Sequence, residues 1–217
     1  MKRALSINEV ISKKRHTLDF TGEWFEAFGT PERRGVWFVW GDSGNGKTSF
    51  VMQLCKELTK FGRVIYNSLE EGISVSMQDT IVRARMEEAK NRFGLVEGES
   101  MEELEERILR RKSPEFYVID SLQYTRLSFD EYMRFKEACS KKLVIFISQA
   151  TGKVPRGAVA QRVMFDSSLK IFVEGFRAIS KGRSIGPKGY YTVWEEGAWR
   201  YWGKKENSEI KNQTEDI

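Results

Sequence analysis

Gly41, Asp42, Ser43, Gly44, Asn45, Gly46, Lys47, Thr48 and Ser49 set three glycines ahead of a lysine and two hydroxyls. Glycines at 41, 44 and 46 let the backbone curl with its N–H groups turned inward, and a helix opening at Lys47 adds the positive end of its dipole. Together these make an anion cradle. Lys47 can reach β- and γ-phosphates, and the Thr48 hydroxyl is a ligand for Mg²⁺. The spacing is that of a phosphate-binding loop, and it predicts that the chain takes a purine triphosphate, ATP or GTP, with Mg²⁺. A second candidate is Asp120, which closes the apolar run Phe116–Asp120. A carboxylate at the carboxyl end of a buried strand can hold the Mg²⁺ shell through water, although a strand ending in Asp-Ser is also an ordinary turn signal.

The elements that must position these groups alternate. Val36–Trp40 reads as a buried strand running into the glycine loop, and Thr48–Phe61 repeats apolar residues at Val51, Leu54, Leu58 and Phe61 as a helix does, with Gly62 as its stop. Arg63–Ser68 reads as the second strand. Helices are expected over Ser74–Phe93 and Met101–Lys112, the latter opened by Ser100 with Glu103 in capping-box spacing. Phe116–Asp120 is the third strand, Ser128 and Glu131 cap a helix through Ser140, and Leu143–Ser148 is the fourth strand. Ala150–Gly157 reads as a short loop. From Leu169 onward shorter strands alternate with glycine turns, ending in an expected hairpin of Tyr190–Trp194 and Trp199–Trp202 around Glu195-Glu196-Gly197. This alternation predicts an α/β fold, a mainly parallel twisted sheet flanked by helices with a C-terminal antiparallel hairpin extension. The expected organisation is a lead segment over 1–20, one domain over 21–203 and a disordered polar tail over 204–217.

Composition narrows the class. At 217 residues the chain suits one well-cored domain. No apolar run is long enough to cross a bilayer and the start lacks a signal peptide's apolar core, which predicts a cytoplasmic protein without membrane partners. Cys55 and Cys139 have no metal-ligand spacing and read as buried reduced thiols, and His16 carries no role. The net charge of +5 permits nucleic acid without demanding it. Six glutamates in Glu97–Glu106, succeeded by Arg107, Arg110, Arg111 and Lys112, read as a solvated helix face.

The end of the second strand and the turn beyond it, Tyr66-Asn67-Ser68-Leu69-Glu70-Glu71-Gly72, resemble the RecA-like P-loop ATPases, the group that holds RecA, RadA, KaiC and the DnaB helicases. The motif style is nearest the DnaB-type and bacterial RadA-type ATPase domains, and the resemblance runs from about Thr21 to Trp202. It implies that Glu70, or less readily Glu71, polarises the attacking water, a role a carboxylate near the γ-phosphate can fill. Asp120 resembles the Walker B aspartate. Gln149, ending Ile147-Ser148-Gln149, is similar to the residue that senses the γ-phosphate. The run Ile179 to Gly189 resembles the Lys-x-Arg, Gly-Pro-x-Gly segment whose basic pair reaches a neighbour's nucleotide, which makes Lys181 and Arg183 candidate trans fingers. One extra residue between Arg183 and Gly186 leaves open which of the two acts.

The resemblance therefore implies hydrolysis of ATP by an assembly of this chain with itself, as a ring or a filament. Its leading implication is a DNA-stimulated ATPase of recombination, repair or replication, encoded by a phage or mobile element in keeping with the bare core. Ala150–Arg162 would then lie where such proteins contact single- or double-stranded DNA, with Lys153, Arg156 and Arg162 supplying charge for phosphates. The alternatives are a KaiC-like ATPase acting on protein partners, a small-molecule kinase, and a nucleotide-gated switch that hardly hydrolyses.

Overall fold

The structure is a computed structural model and describes residues 3–203; the tail expected over 204–217 lies outside the described residues. Among the described residues nine strands form one sheet in the spatial order β3 (Phe93–Glu97), β2 (Val64–Ser68), β4 (Phe116–Asp120), β5 (Leu143–Thr151), β1 (Gly35–Gly41), β7 (Leu169–Glu174), β8 (Arg177–Gly182), β9 (Tyr190–Thr192), with β6 (Val154–Pro155) paired only to β5. The central strands β1, β2, β4 and β5 run parallel, and β3 and β7 continue that sense on either side. β8 and β9 extend the sheet antiparallel.

Parallel strands covered on both faces need near-continuous apolar runs, and Val36–Trp40, Phe116–Ile119 and Leu143–Ile147 supply them. The alternation along β1 divides the interior into two layers. Trp37 and Val39 pack toward α3 (Lys47–Leu58) with Phe50, Leu54 and Leu58, while Phe38 and Trp40 face the layer holding Leu104 and Ile108 of α5 (Met101–Leu109) and Tyr132 and Phe135 of α6 (Phe129–Ala138). The capping boxes expected at Ser100/Glu103 and Ser128/Glu131 both form. Leu18 and Phe20, between α1 (Ile7–Ile11) and α2 (Gly22–Phe28), are buried in the α3 layer. Cys55 and Cys139 are buried free thiols.

Three elements differ from the sequence reading. The single helix expected over Ser74–Phe93 is α4 (Val75–Arg83), a left-handed residue at Arg85, and a 3₁₀ segment over Met86–Arg92. The chain then enters β3, an edge strand whose exit is pinned where Asn67 Nδ2 donates to the Glu99 carbonyl at 2.8 Å and Glu99 N–H donates to Asn67 Oδ1 at 3.0 Å. Ala150–Gly157 is no plain loop: β5 continues to Thr151 and folds back through β6 (Val154–Pro155), leading to α7 (Ala158–Asp166). Residues 195–203 are a helix, α8, so the antiparallel hairpin is β8–β9. Packing overrides the strand propensity of Trp199–Trp202, because Trp202 Nε1 donates to the Gly175 carbonyl and Tyr201 OH to Glu174, docking α8 on the β7–β8 turn.

Candidate functional site

Strand register gathers the candidate residues at one end of the sheet. Gly41 is opposite Gln149, Trp40 opposite Ser148, and Ser68 opposite Asp120, so four carboxyl ends open onto one crevice. The glycine loop leaves β1 at Gly41, where an added Cβ would stand 2.2 Å from the Val173 carbonyl oxygen. Gly46, at φ +91°, caps α3 without any side-chain acceptor, so the first-turn amides of that helix face the crevice uncapped.

The loop is held in shape from both sides. Asn45 Oδ1 accepts from Gly175 N–H at 2.7 Å, tying it to the β7–β8 turn, and Asp42 Oδ1 accepts from Gly152 N–H at 3.2 Å, tying it to the β5–β6 turn. Lys47 Nζ donates to the Asp42 carbonyl at 2.9 Å. Burial lowers its ammonium below the ordinary lysine range, against the pull of Asp120, Glu70 and Asp42. A cation held in this partly desolvated state gains strongly from an arriving polyphosphate.

The acidic side is built from β2 and β4. After Ser68 the chain turns over the end of β4, where Leu69 and Glu70 N–H both donate to the Asp120 carbonyl. The buried Tyr66 hydroxyl donates to Asp120 Oδ2. Burial pushes the Asp120 carboxyl up to about 6, with Glu70 and Glu71 adding to the rise and Tyr66 and Lys47 opposing it. Glu70 accepts from Ser121 Oγ at 3.0 Å and from Gln149 Nε2 at 2.9 Å. Glu71 instead turns to the start of α4, accepting from Ser76 Oγ at 2.9 Å. Gln149 Oε1 accepts in turn from Arg156 Nη1 at 3.4 Å.

These groups line a cleft of about 690 Å³ that takes in the loop, Glu70, Asp120, Gln149 and Arg156. A second cavity of about 450 Å³ shares Ser49, Thr80, Arg83 and Phe176 with it and adds Gln53, Val193 and Trp194. Phe176 and Trp194 meet edge to face with centroids 5.0 Å apart. Their combined size suits a ligand with a polar end and a flat apolar one.

Of the residues singled out from sequence, the loop, Glu70, Asp120 and Gln149 come together. Lys181 and Arg183 do not join them. Lys181 pairs with Lys170, which pairs with Phe38 on β1, three residues back from Gly41 and toward the other end of the sheet, and both basic residues are exposed. Lys153, Arg156 and Arg162 are all exposed but differently engaged: Lys153 is beside the β5–β6 turn, Arg156 lines the cleft, and the Arg162 guanidinium stacks 3.7 Å over the Phe129 ring. Sequence reasoning does not reach Ser121, Gln123, Arg83, Phe176 and Trp194. Ser121, next after Asp120, is within reach of its spacing, whereas Arg83 on α4 looks in sequence like any solvated helix cation.

No protein-family model matches this sequence, and no curated protein does. Solved structures do match in shape. A KaiC-like protein of the hyperthermophilic archaeon Pyrococcus horikoshii OT3 superimposes with a TM-score of 0.55 at 16% identity, over 77% of this chain and 94% of that one. The flagellar accessory protein FlaH of Methanocaldococcus jannaschii gives 0.56 at 14% identity, over 82% and 92%. The ATP synthase subunit NeqB of Nanoarchaeum equitans gives 0.57 at 8% identity, over 84% of this chain and 56% of that one. The fold is that of the RecA-like P-loop ATPases. Among these three neighbours nothing singles out the DnaB or RadA style that the motifs resemble.

Proposed function

We propose that this chain binds Mg²⁺–ATP at the β1–α3 loop and hydrolyses it in an assembly with copies of itself, acting on a protein partner as a KaiC-like ATPase. The observation that carries the reading is the convergence of an uncapped helix start, a desolvated lysine and a doubly held glutamate on one cleft. The α3 amides and Lys47 would hold the phosphates, and the base would enter the second cavity against Phe176 and Trp194.

The donor set fits magnesium. Among the described residues no three His, Cys, Asp or Glu side chains gather to hold a metal, which suits an ion that keeps most of its water and takes phosphate oxygens. Thr48 and, through water, Asp120 would hold it, and the ion would neutralise charge on the β- and γ-oxygens. Ser121 and Gln149 fix the Glu70 carboxylate so that it orients water for in-line attack and accepts its proton. The bond from water oxygen to the γ-phosphorus forms as the bond to the bridging oxygen breaks, and ADP leaves with the electron pair.

Protein rather than DNA as the target is favoured by the fate of the three basic residues after β5. All three are exposed, but Arg156 lines the cleft and Arg162 lies on an aromatic ring, so Lys153 is the one of the three with neither engagement. The names of the KaiC-like and FlaH neighbours lean the same way. The deciding experiment is ATP turnover of wild type, Glu70→Gln and Lys47→Ala, with and without single- and double-stranded DNA. Turnover lost in both variants, ATP binding kept in Glu70→Gln alone, and rates within about twofold with DNA are expected. Stimulation of tenfold or more by either DNA would restore the recombination or replication reading.

A further inference from the structure

Arg156 is the one arginine of the β5–α7 connection that faces the phosphate cleft, and it is held there with unusual thoroughness. Its N–H donates to the Gln149 carbonyl at 2.9 Å, and its own carbonyl accepts from Gln123 Nε2 at 3.0 Å. Gln123 is itself clamped to β5, donating to Ser148 Oγ at 2.8 Å and accepting from Gln149 N–H at 3.2 Å. Pro155, buried and paired with Ala150, has its φ fixed by its ring immediately before Arg156. A backbone so anchored loses little further entropy when its side chain meets a ligand.

The side chain carries free charge. Among the described residues no carboxylate forms an ion pair with it; its guanidinium touches Gln149, a neutral amide, through one long bond. A guanidinium has five N–H donors in a fork that matches phosphate oxygens. Position along the cleft selects which phosphate. Arg156 is one hydrogen bond from Gln149, and Gln149 one from Glu70, whereas Arg83, which lines the same cleft, also lines the aromatic cavity that Arg156 does not reach.

We infer that Arg156 is an arginine supplied in cis, which binds the γ-phosphate of the nucleotide held by its own chain and stabilises the charge that spreads over its oxygens during hydrolysis. This rests on the nucleotide-binding reading above. It gives the last bonded phosphate a sensor: Arg156 and Glu70 share Gln149, so the residue that grips the γ-phosphate and the residue that orients the water are joined through one amide.

The test compares wild type, Arg156→Ala and Arg156→Lys by calorimetry with a non-hydrolysable ATP analogue and with ADP, both with Mg²⁺, alongside thermal melts. Arg156→Ala is expected to weaken the analogue by about 10–100-fold while ADP stays within about twofold, with Arg156→Lys between, because a point charge lacks the fork. Turnover should fall by at least about 10²-fold. Mixing Arg156→Ala with Lys47→Ala subunits, which keep Arg156 but lack the cradle lysine, should leave turnover as low as in Arg156→Ala alone. Recovery in the mixture would mean that the arginine acts across subunits and would overturn the cis assignment. Equal loss of both nucleotides, or no loss of either, would overturn the γ-phosphate contact while leaving nucleotide binding intact. Wild type that takes neither nucleotide would end both readings. Should Arg156→Ala melt below the assay temperature, Arg156→Gln carries the same comparison.

Discussion

Gln149 Nε2 donates to Glu70 Oε1 over 2.9 Å, joining the end of β5 to the turn beyond β2. The other Glu70 oxygen is held by Ser121 at 3.0 Å, so each oxygen of the carboxylate has a fixed donor. Gln149→Ala should therefore lower kcat by about 10–100-fold through lost orientation of Glu70 while KM changes little, since an interaction of this kind acts on the transition state more than on binding. Steady-state kinetics checks it; an effect confined to KM would remove Gln149 from the chemistry.

Asp120 gives a pH dependence of definite sign. In the folded chain its carboxyl titrates near 6 against an ordinary aspartate value of 3.8, so the folded state keeps its proton where the unfolded state has already lost it. Its contribution to stability falls as pH rises from about 4 to 6 and stays low above that. The difference of about two units is worth roughly 3 kcal/mol. Without nucleotide, Asp120→Asn should be more stable than wild type at pH 8 by up to about that amount, and the gain should vanish below pH 4. Urea unfolding at pH 4, 6 and 8 measures it, and coincident midpoints at pH 8 would contradict it.

Gly41 answers a packing demand rather than a conformational one. Its missing Cβ makes room for the Val173 carbonyl at the point where β1 and β7 meet beneath the loop. Gly41→Ala must push the two strands apart, at a cost on the order of 3 kcal/mol. Ser43, exposed at the loop tip, tolerates alanine with little change in melting temperature. Paired thermal melts distinguish these outcomes.

How much of the fold and the cleft is legible in sequence depends on where each signal is stored. The glycine run, the apolar strands at Val36–Trp40 and Phe116–Asp120, and the two capping boxes are local, and they are readable because adjacent residues carry the whole pattern. β3 is not, since a five-residue edge strand with a glycine at its second position has no period of its own and forms because β2 lends it a ladder. α8 escapes for a related reason: Tyr201 and Trp202 read as strand until Glu174 and Gly175 bring partners from far along the chain. The cleft shows the same division. Lys47 and Thr48 announce themselves by spacing, while Arg156 reads as a loop cation and becomes part of the cleft only when β6 folds back onto Ala150.

Lys181 and Arg183 bear on assembly. They are exposed and set back from the glycine loop of their own chain, so a nucleotide they reached would be a neighbour's. A trans finger is worth about 10³–10⁵ in rate. Specific turnover should accordingly rise with protein concentration, and Lys181→Ala with Arg183→Ala should flatten that rise without changing the affinity of the dilute protein for ADP. A specific rate unchanged across a hundredfold dilution would leave the basal activity to the cis groups alone.

The aromatic cavity bears on where the base would bind. Trp194 is about half exposed and meets Phe176 edge to face, in the cavity that Glu70 does not line. Gln53 in the same wall is already engaged, donating to the Val193 carbonyl and accepting from Tyr191 OH, so it holds the wall rather than offering a free amide to a ligand. A base entering there would be held largely by its flat face, and base–aromatic stacking contributes about 1–3 kcal/mol. Trp194→Ala should thus weaken ATP and ADP by the same factor, about 5–150-fold, because the base is common to both. That parallel loss is opposite in kind to the selective loss expected at Arg156, and calorimetry with the two nucleotides on the two variants separates the ends of the cleft. Equal affinities in wild type and Trp194→Ala would place the base elsewhere.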